Sequence, residues 1–280
     1  MAVTITFPEF DLPAEYPVLH AAPARWDEDS RAVLAARLGL DAPFEDHGLW
    51  HVARTDRRSL EIYAATDSFR LDVLDRTSEL DGAAERGLDE ADAVRRAEEF
   101  LAPFRPRAVE SRLVSVVEAE VLVSREPRSE PRRYVTGTQV NLGFAVEGTP
   151  LLGPGAKMQA TVGVDGETQA AYLMWRQVAA VDRVPGYARD ELADRLGRSR
   201  MFAQLSDDTA RVEITTARAG LLCLPPTERQ LLLPPAIEVR GTVSTEAAPG
   251  VGFSLFMSAA DTRGRRRQTE RTGLPARIVA

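Results

Sequence analysis

An antiparallel α+β fold, built from helix-plus-hairpin units repeated along the chain, is what this 280-residue sequence predicts. Three observations predict it. Over 134–178 residues alternate between apolar and polar with a period of two, the spacing of a pleated strand. Two stretches with apolar stripes at helical spacing, 27–38 and 89–102, each precede a set of such strands. Glycine- and proline-bearing segments separate the runs, and Asp165-Gly166 stands where a tight hairpin turn needs positive φ.

Taken in order, residues 1–26 carry several prolines and read as an extended arm with a short strand over 3–7. Asp27 N-caps a helix that runs to about Leu38, with Val33, Leu34 and Leu38 on one face and Gly39 as its stop. Runs over 49–54 and 60–65 form a hairpin across a polar turn, and 69–73 adds a strand, which completes a first unit over 27–80. After a polar joint at 75–88, Asp89 caps a second helix whose Ala93, Val94, Ala97, Phe100 and Leu101 share a stripe ending before Pro103. Strands over 113–123, 134–144, 158–164 and 167–178 follow, separated by the charged loop REPRSEPRR, the Glu147-Gly148 turn, the Gly153-Pro154-Gly155 loop and Asp165-Gly166. They complete a central unit over 89–182. A third unit, 186–260, repeats the scheme with a helix over 187–196 and strands over 211–216, 237–245 and 252–259. The arginine-rich tail, 261–280, has no periodicity and reads as mobile.

Composition narrows the function classes. At 44% hydrophobic and 28% charged residues the chain is globular, and its length allows a large core without disulfide staples. A formal charge of −7 argues against a nucleic-acid partner, because the phosphate backbone calls for a basic face. Lys157 is the sole lysine and Asn141 the sole asparagine, a bias that GC-rich codons explain. Cys223, the sole cysteine, excludes an intrachain disulfide, fits a reducing cytoplasm, and sits in the apolar run GLLCLPP as a packed thiol. The opening segment MAVTITFPEFDLPAEYP has no basic region followed by an apolar one, and no run approaches the roughly 18 apolar residues of a membrane span. The expectation is a cytoplasmic protein without a membrane partner.

Helix 89–102, the strands through Phe144, the segment EGTPLLGPGAK and the hairpin VGVDGETQA together resemble PepSY-like domains, in which a helix precedes an antiparallel sheet. The resemblance spans 89–180 and, as a degenerate copy, 27–74. It implies an inhibitory or regulatory binding module without catalytic residues. PepSY-like proteins are usually exported or membrane-attached, and this chain departs from them in showing neither a signal nor a span.

Motifs of known chemistry are few. GPGAK is too short for a phosphate loop and precedes a strand rather than a helix, and the chain has no HExxH, GxSxG or paired CxxC. His47 and His51, with Glu45 and Asp46 beside them, have a metal-like spacing, but Gly48 favours a loop entering a strand, so no metal is expected. His20 stands in the proline-rich arm without evident partners. Lys157, beside the glycine-proline loop, is a candidate base or Schiff-base residue if desolvated. On a strand over 172–178, Tyr172, Met174 and Arg176 share one face and Leu173, Trp175 and Gln177 the other. Paired with Gln139 and Asn141 across the sheet, the first set makes a hollow with aromatic walls and a few hydrogen-bonding groups. Three functions fit. The first is a non-catalytic binding protein for a small molecule or peptide, held by Gln139, Asn141, Tyr172, Met174 and Arg176. The second is a cofactor-independent cyclase or isomerase of specialised metabolism, with Lys157, Tyr172 and Arg176 as catalytic candidates. The third is an assembly component that oligomerises through exposed strand edges.

Overall fold

A twelve-stranded sheet passes through all three units marked out in the sequence. The computed structural model describes residues 5–22, 24, 26–74, 87–107, 109–124, 130–199, 202, 211–245 and 250–262. Strand β1 (Glu15–Ala21) leads to helix α1 (Glu28–Arg37) and then to β2 (Phe44–Asp46), β3 (Trp50–Arg54), β4 (Arg58–Tyr63) and β5 (Phe69–Val73). Helix α2 (Glu90–Leu101) ends in a 3-10 turn at Ala102–Phe104. After it come β6 (Glu110–Val123), β7 (Arg132–Val146), β8 (Thr149–Leu152), β9 (Lys157–Gly163) and β10 (Thr168–Met174). The last part holds β11 (Val178–Pro185), α3 (Arg189–Gly197), β12 (Arg211–Leu222), β13 (Leu232–Leu233), β14 (Pro235–Ser244) and β15 (Val251–Ser258).

The protein is mostly β, at 51% strand and 16% helix, which overturns the expected α+β fold of helix-plus-hairpin repeats. The reason lies in the pairing. β5 pairs with β10, which joins the first unit to the central one, and β12 pairs in parallel with β8, which joins the third. A period of two tells which face a strand buries and says nothing of which strand lies beside it. β7 is the spine: β6 follows it along one edge, while β9 and β8 share the other.

The inner face of this sheet is apolar. Val140, Leu142, Met158, Ala160, Ala171, Leu173, Phe69 and Leu71 are buried there, each large side chain stabilising the fold by about 1.5–3 kcal/mol. α2 covers β7 and β9 with its buried Ala93, Ala97 and Leu101. α1 lies by β3 and β4, where Arg58 donates to the Leu38 carbonyl at 2.7 Å and Arg31 stands 3.3 Å from His51 Nε2. Both N-caps form as the sequence predicts, Asp27 accepting from the Ser30 amide and Asp89 from the Ala91 amide.

Local departures have local causes. The Asp165-Gly166 turn is not the two-residue type, for only Gly166 has positive φ (85°). The Gly163 amide donates to the Glu167 carbonyl at 2.7 Å, closing a three-residue loop with glycine in the left-handed position and a register slip between Thr168 and Ala170. The N-terminal arm contains β1, the centre of a separate three-stranded sheet β11-β1-β13. Its Pro17 hid the strand from a sequence reading, yet β1 is paired on one side only at that residue, where proline is tolerated. Ile5 and Phe7 are buried without forming the strand expected over 3–7, and Val3 lies outside the described residues. Residues 75–86 of the joint, 125–129 of the charged loop, and the tail from 263 also lie outside them. No helix among the described residues is long and apolar enough to cross a membrane.

Tyr16 of β1 is fully buried, and burial pushes its phenol pKa up to about 12. Its hydroxyl has no hydrogen-bond partner among the described residues. Tyr16→Phe therefore removes a desolvation cost rather than a bond and should raise stability in urea by about 1 kcal/mol. A loss of similar size would contradict this packing.

Candidate functional site

The outer face of the sheet carries a polar row. Pairing across β6, β7, β9, β10, β5 and β4 lines up Ser115, Asn141, Gln159, Tyr172, Arg70 and Glu61. Gln139 Nε2 donates to Asn141 Oδ1 at 3.2 Å, and Asn141 Nδ2 donates to Ser115 Oγ at 3.1 Å. Arg70 grips Asp72 through Nε at 2.5 Å and Nη2 at 3.2 Å, and its guanidinium lies 5.1 Å from the centre of the Tyr172 ring. Tyr63 joins the cluster, its phenol pKa raised by burial and then by the Glu61 carboxylate. Gln139, Asn141 and Tyr172 thus lie on one face, where neighbours satisfy much of their bonding capacity.

Met174 and Lys157 pair with each other on the Tyr172 face, at the end of the row, whereas Arg176 sits elsewhere in the packing. Met174 is buried at the end of β10. The strand stops there rather than continuing to Val178, so Arg176 belongs to the turn into β11 and not to the Tyr172 face. Its guanidinium, 2% exposed, donates to three backbone carbonyls: Leu224 at 2.7 Å, Pro225 at 2.7 Å and Glu228 at 2.6 Å. Burial lowers its pKa. The glycine-proline loop packs on the same segment: a Cβ on Gly155 would stand 1.9 Å from the Leu224 carbonyl oxygen. Lys157, at the start of β9, is exposed and so lacks the desolvation that makes an ammonium a base.

Other reactive groups are quiet. Burial pushes the Cys223 thiol up to about 12, which leaves it neutral at ordinary pH and unavailable as a nucleophile. His47 Nε2 stands 3.5 Å from Glu45 and His51 Nδ1 3.8 Å from Asp46, within the β2–β3 hairpin. Among the described residues no group of three or more His, Cys, Asp or Glu has metal-binding geometry.

A cleft of about 790 Å³ opens on the inner side, where the α1 region and the segment after α2 leave part of the sheet uncovered. Aromatic side chains make its walls and floor: Trp26, Phe69, Phe104 and Trp175. Phe104 meets Phe69 edge-on with ring centres 5.3 Å apart, and Trp175 meets Phe144 in the same manner at 5.3 Å. Arg37, Arg105 and Arg107 supply positive charge, with Gln177 and Asp67 as further polar groups. Val33, assigned by its spacing to the buried face of α1, is 59% exposed and lines this opening. Leu173, Trp175 and Gln177, the set opposite Tyr172, also line it.

Three loop residues that carry no sequence motif hold the cleft in shape. The Thr66 carbonyl accepts from Trp26 Nε1 at 2.7 Å, and Thr66 Oγ1 donates to the Pro226 carbonyl at 3.3 Å. Asp67 Oδ2 accepts from the Gln177 amide at 3.4 Å. Ser68 Oγ accepts from the Trp175 amide at 2.8 Å and lies 3.1 Å from the Trp175 carbonyl, to which it donates. Thr66 and Ser68 are buried. The signal available in the sequence was weak, three small polar residues between two strands, a composition that any turn shares.

No family model matches the chain, and no curated protein does. Among solved structures it is similar in fold to an uncharacterized protein from Eubacterium rectale, with a TM-score of 0.50 and 8% sequence identity over 87% of this chain and 83% of that one. At that identity the likeness is one of fold alone.

Because Arg176 donates to three carbonyls of the 224–228 segment, Arg176→Met should cost about 3 kcal/mol in urea unfolding and speed labelling of Cys223 by a thiol reagent. An unchanged midpoint with Cys223 still protected would contradict the clamp.

Proposed function

We propose that this protein is a non-catalytic binding protein whose ligand is a small molecule with an aromatic or extended apolar body and an anionic group. The observation that carries this reading is the cleft, four aromatic side chains bordered by three arginines around about 790 Å³. That volume lies in the range of about 300–1,000 Å³ common to small-molecule sites, and an apolar lining with a few placed polar groups is their usual composition. Rings and aliphatic chains gain by leaving water against Trp26, Phe104 and Trp175, while a carboxylate or sulfonate gains charge-assisted hydrogen bonds from guanidinium groups. Binding without chemistry accords with the groups on hand: Asp67 is already bonded to a backbone amide, and the remaining polar lining is suited to recognition. The lone buried cysteine supports a cytoplasmic setting.

Thermal shift with anilinonaphthalene sulfonate, indole acetate and decanoate, set against tryptophol and decanol, tests the reading. Saturating anions should raise Tm, since a ligand at about 100 times its Kd adds about 2.7 kcal/mol. The uncharged counterparts should do less. Arg107→Glu should remove the advantage of the anions and leave the Tm of the free protein unchanged, because the side chain is exposed. If no compound shifts Tm, or if the shifts survive both Arg107→Glu and Phe104→Ala, the cleft is not a ligand site.

A further inference from the structure

β6 is a fourteen-residue edge strand whose outer side pairs with no other strand among the described residues. It exposes apolar side chains along its length, including Leu113 (49%), Val114 (57%) and Val117 (51%). Natural edges of this length are usually blocked by proline, shortness or a covering segment. Here α2 covers β7 and β9 and leaves a trough of about 660 Å³ between itself and the inner side of β6, with Val94 and Leu113 as its apolar lining. Asp89, Glu90, Glu98 and Glu99 supply four carboxylates to its wall. Arg95 is the one guanidinium that lines it, and it is engaged by Asp92 at 3.1 Å and Glu99 at 2.9 Å. The trough shares no lining residue with the aromatic cleft.

We propose that this trough docks an extended basic peptide, which adds to β6 as a further strand. Two features select that occupant over others. An open strand edge offers alternate backbone N–H and C=O groups, which a polypeptide in extended form satisfies and a small molecule does not. In such a strand the side chains alternate in direction: one set faces the acidic wall of α2, the other lies beside Val117 and Val121 on the outer face. Basic residues suit the first set and β-branched apolar residues the second. A second copy of this chain fits poorly, because antiparallel pairing of β6 with itself brings two acidic helices to the same seam, and like charges repel.

A labelled peptide of alternating arginine and valine, about eight residues long, tests this by fluorescence anisotropy against the full chain. The wild-type protein should bind it, and Glu90→Lys with Glu98→Lys should weaken binding roughly tenfold, with circular dichroism confirming that the variant is folded. A peptide of alternating glutamate and valine should not bind. N-methylation of one alternate set of peptide amides should abolish binding while methylation of the other set is tolerated, the signature of a strand added to an edge. Absence of binding would overturn the proposal. So would equal effects of the two methylated peptides, binding of the glutamate peptide, insensitivity to the charge reversals, or a concentration-dependent dimer dissolved by Val117→Lys.

Discussion

The Arg176 guanidinium, shut away from water and spent on three carbonyls of one segment, is the interaction on which the arrangement around the cleft depends. A buried cation with neutral acceptors is costly unless its donors are used, and here Nη1 and Nη2 hold 224–228, which follows β12, against the turn between β10 and β11, while Nε is buried without a hydrogen-bond partner among the described residues. Gly155 lets the backbone before β9 approach the same carbonyls, and Thr66 adds a bond from the β4–β5 loop to Pro226. Strands distant in sequence are thereby fixed at one junction. Trp175 and Gln177, the neighbours of Arg176, are positioned as a consequence, and with them the floor of the cleft.

From that junction the two faces of the sheet follow different chemistry. The outer face satisfies itself sideways: Gln139, Asn141 and Ser115 bond in series, and Arg70 holds Asp72 while its guanidinium lies over the Tyr172 ring. The inner face is apolar and is covered where α1 and α2 pack. At the seam left between them Trp26 and Phe104 reach solvent beside the buried Phe69 and Trp175, and there a hydrophobic ligand would displace water at the least cost in polar bonds. The acidic trough beside β6 is a second consequence of incomplete cover, since two helices cannot span the inner face of so wide a sheet.

Much of the local structure was legible. The strands of the central stretch, the two capped helices and the alternation of Tyr172, Leu173 and Met174 between faces all follow from period and caps, because those signals are written by nearest neighbours. The assembly of the strands was not. Ala171 reads as a strand residue in any context, and nothing near it states that Leu71 lies opposite on one side and Ala160 on the other. Arg176 was misplaced for a related reason. Alternation extends naturally through Met174, and the backbone carbonyls that draw the guanidinium out of register come from a loop about 50 residues away, a distance set by tertiary contact alone. Thr66, Asp67 and Ser68 were invisible as a group because their side chains bond to backbone atoms, which leave no mark on composition.

The three tryptophans supply the most direct measurement of the central claim, that the aromatic cleft and not the polar outer face takes the ligand. Trp26 and Trp175 line the cleft, whereas Trp50 pairs opposite Tyr63 on the outer face. In a nitrogen–proton spectrum of the indole groups titrated with anilinonaphthalene sulfonate, the resonances of Trp26 and Trp175 should move together along one saturable curve while that of Trp50 stays fixed. Movement of Trp50 alone, or of none of the three, would contradict the account.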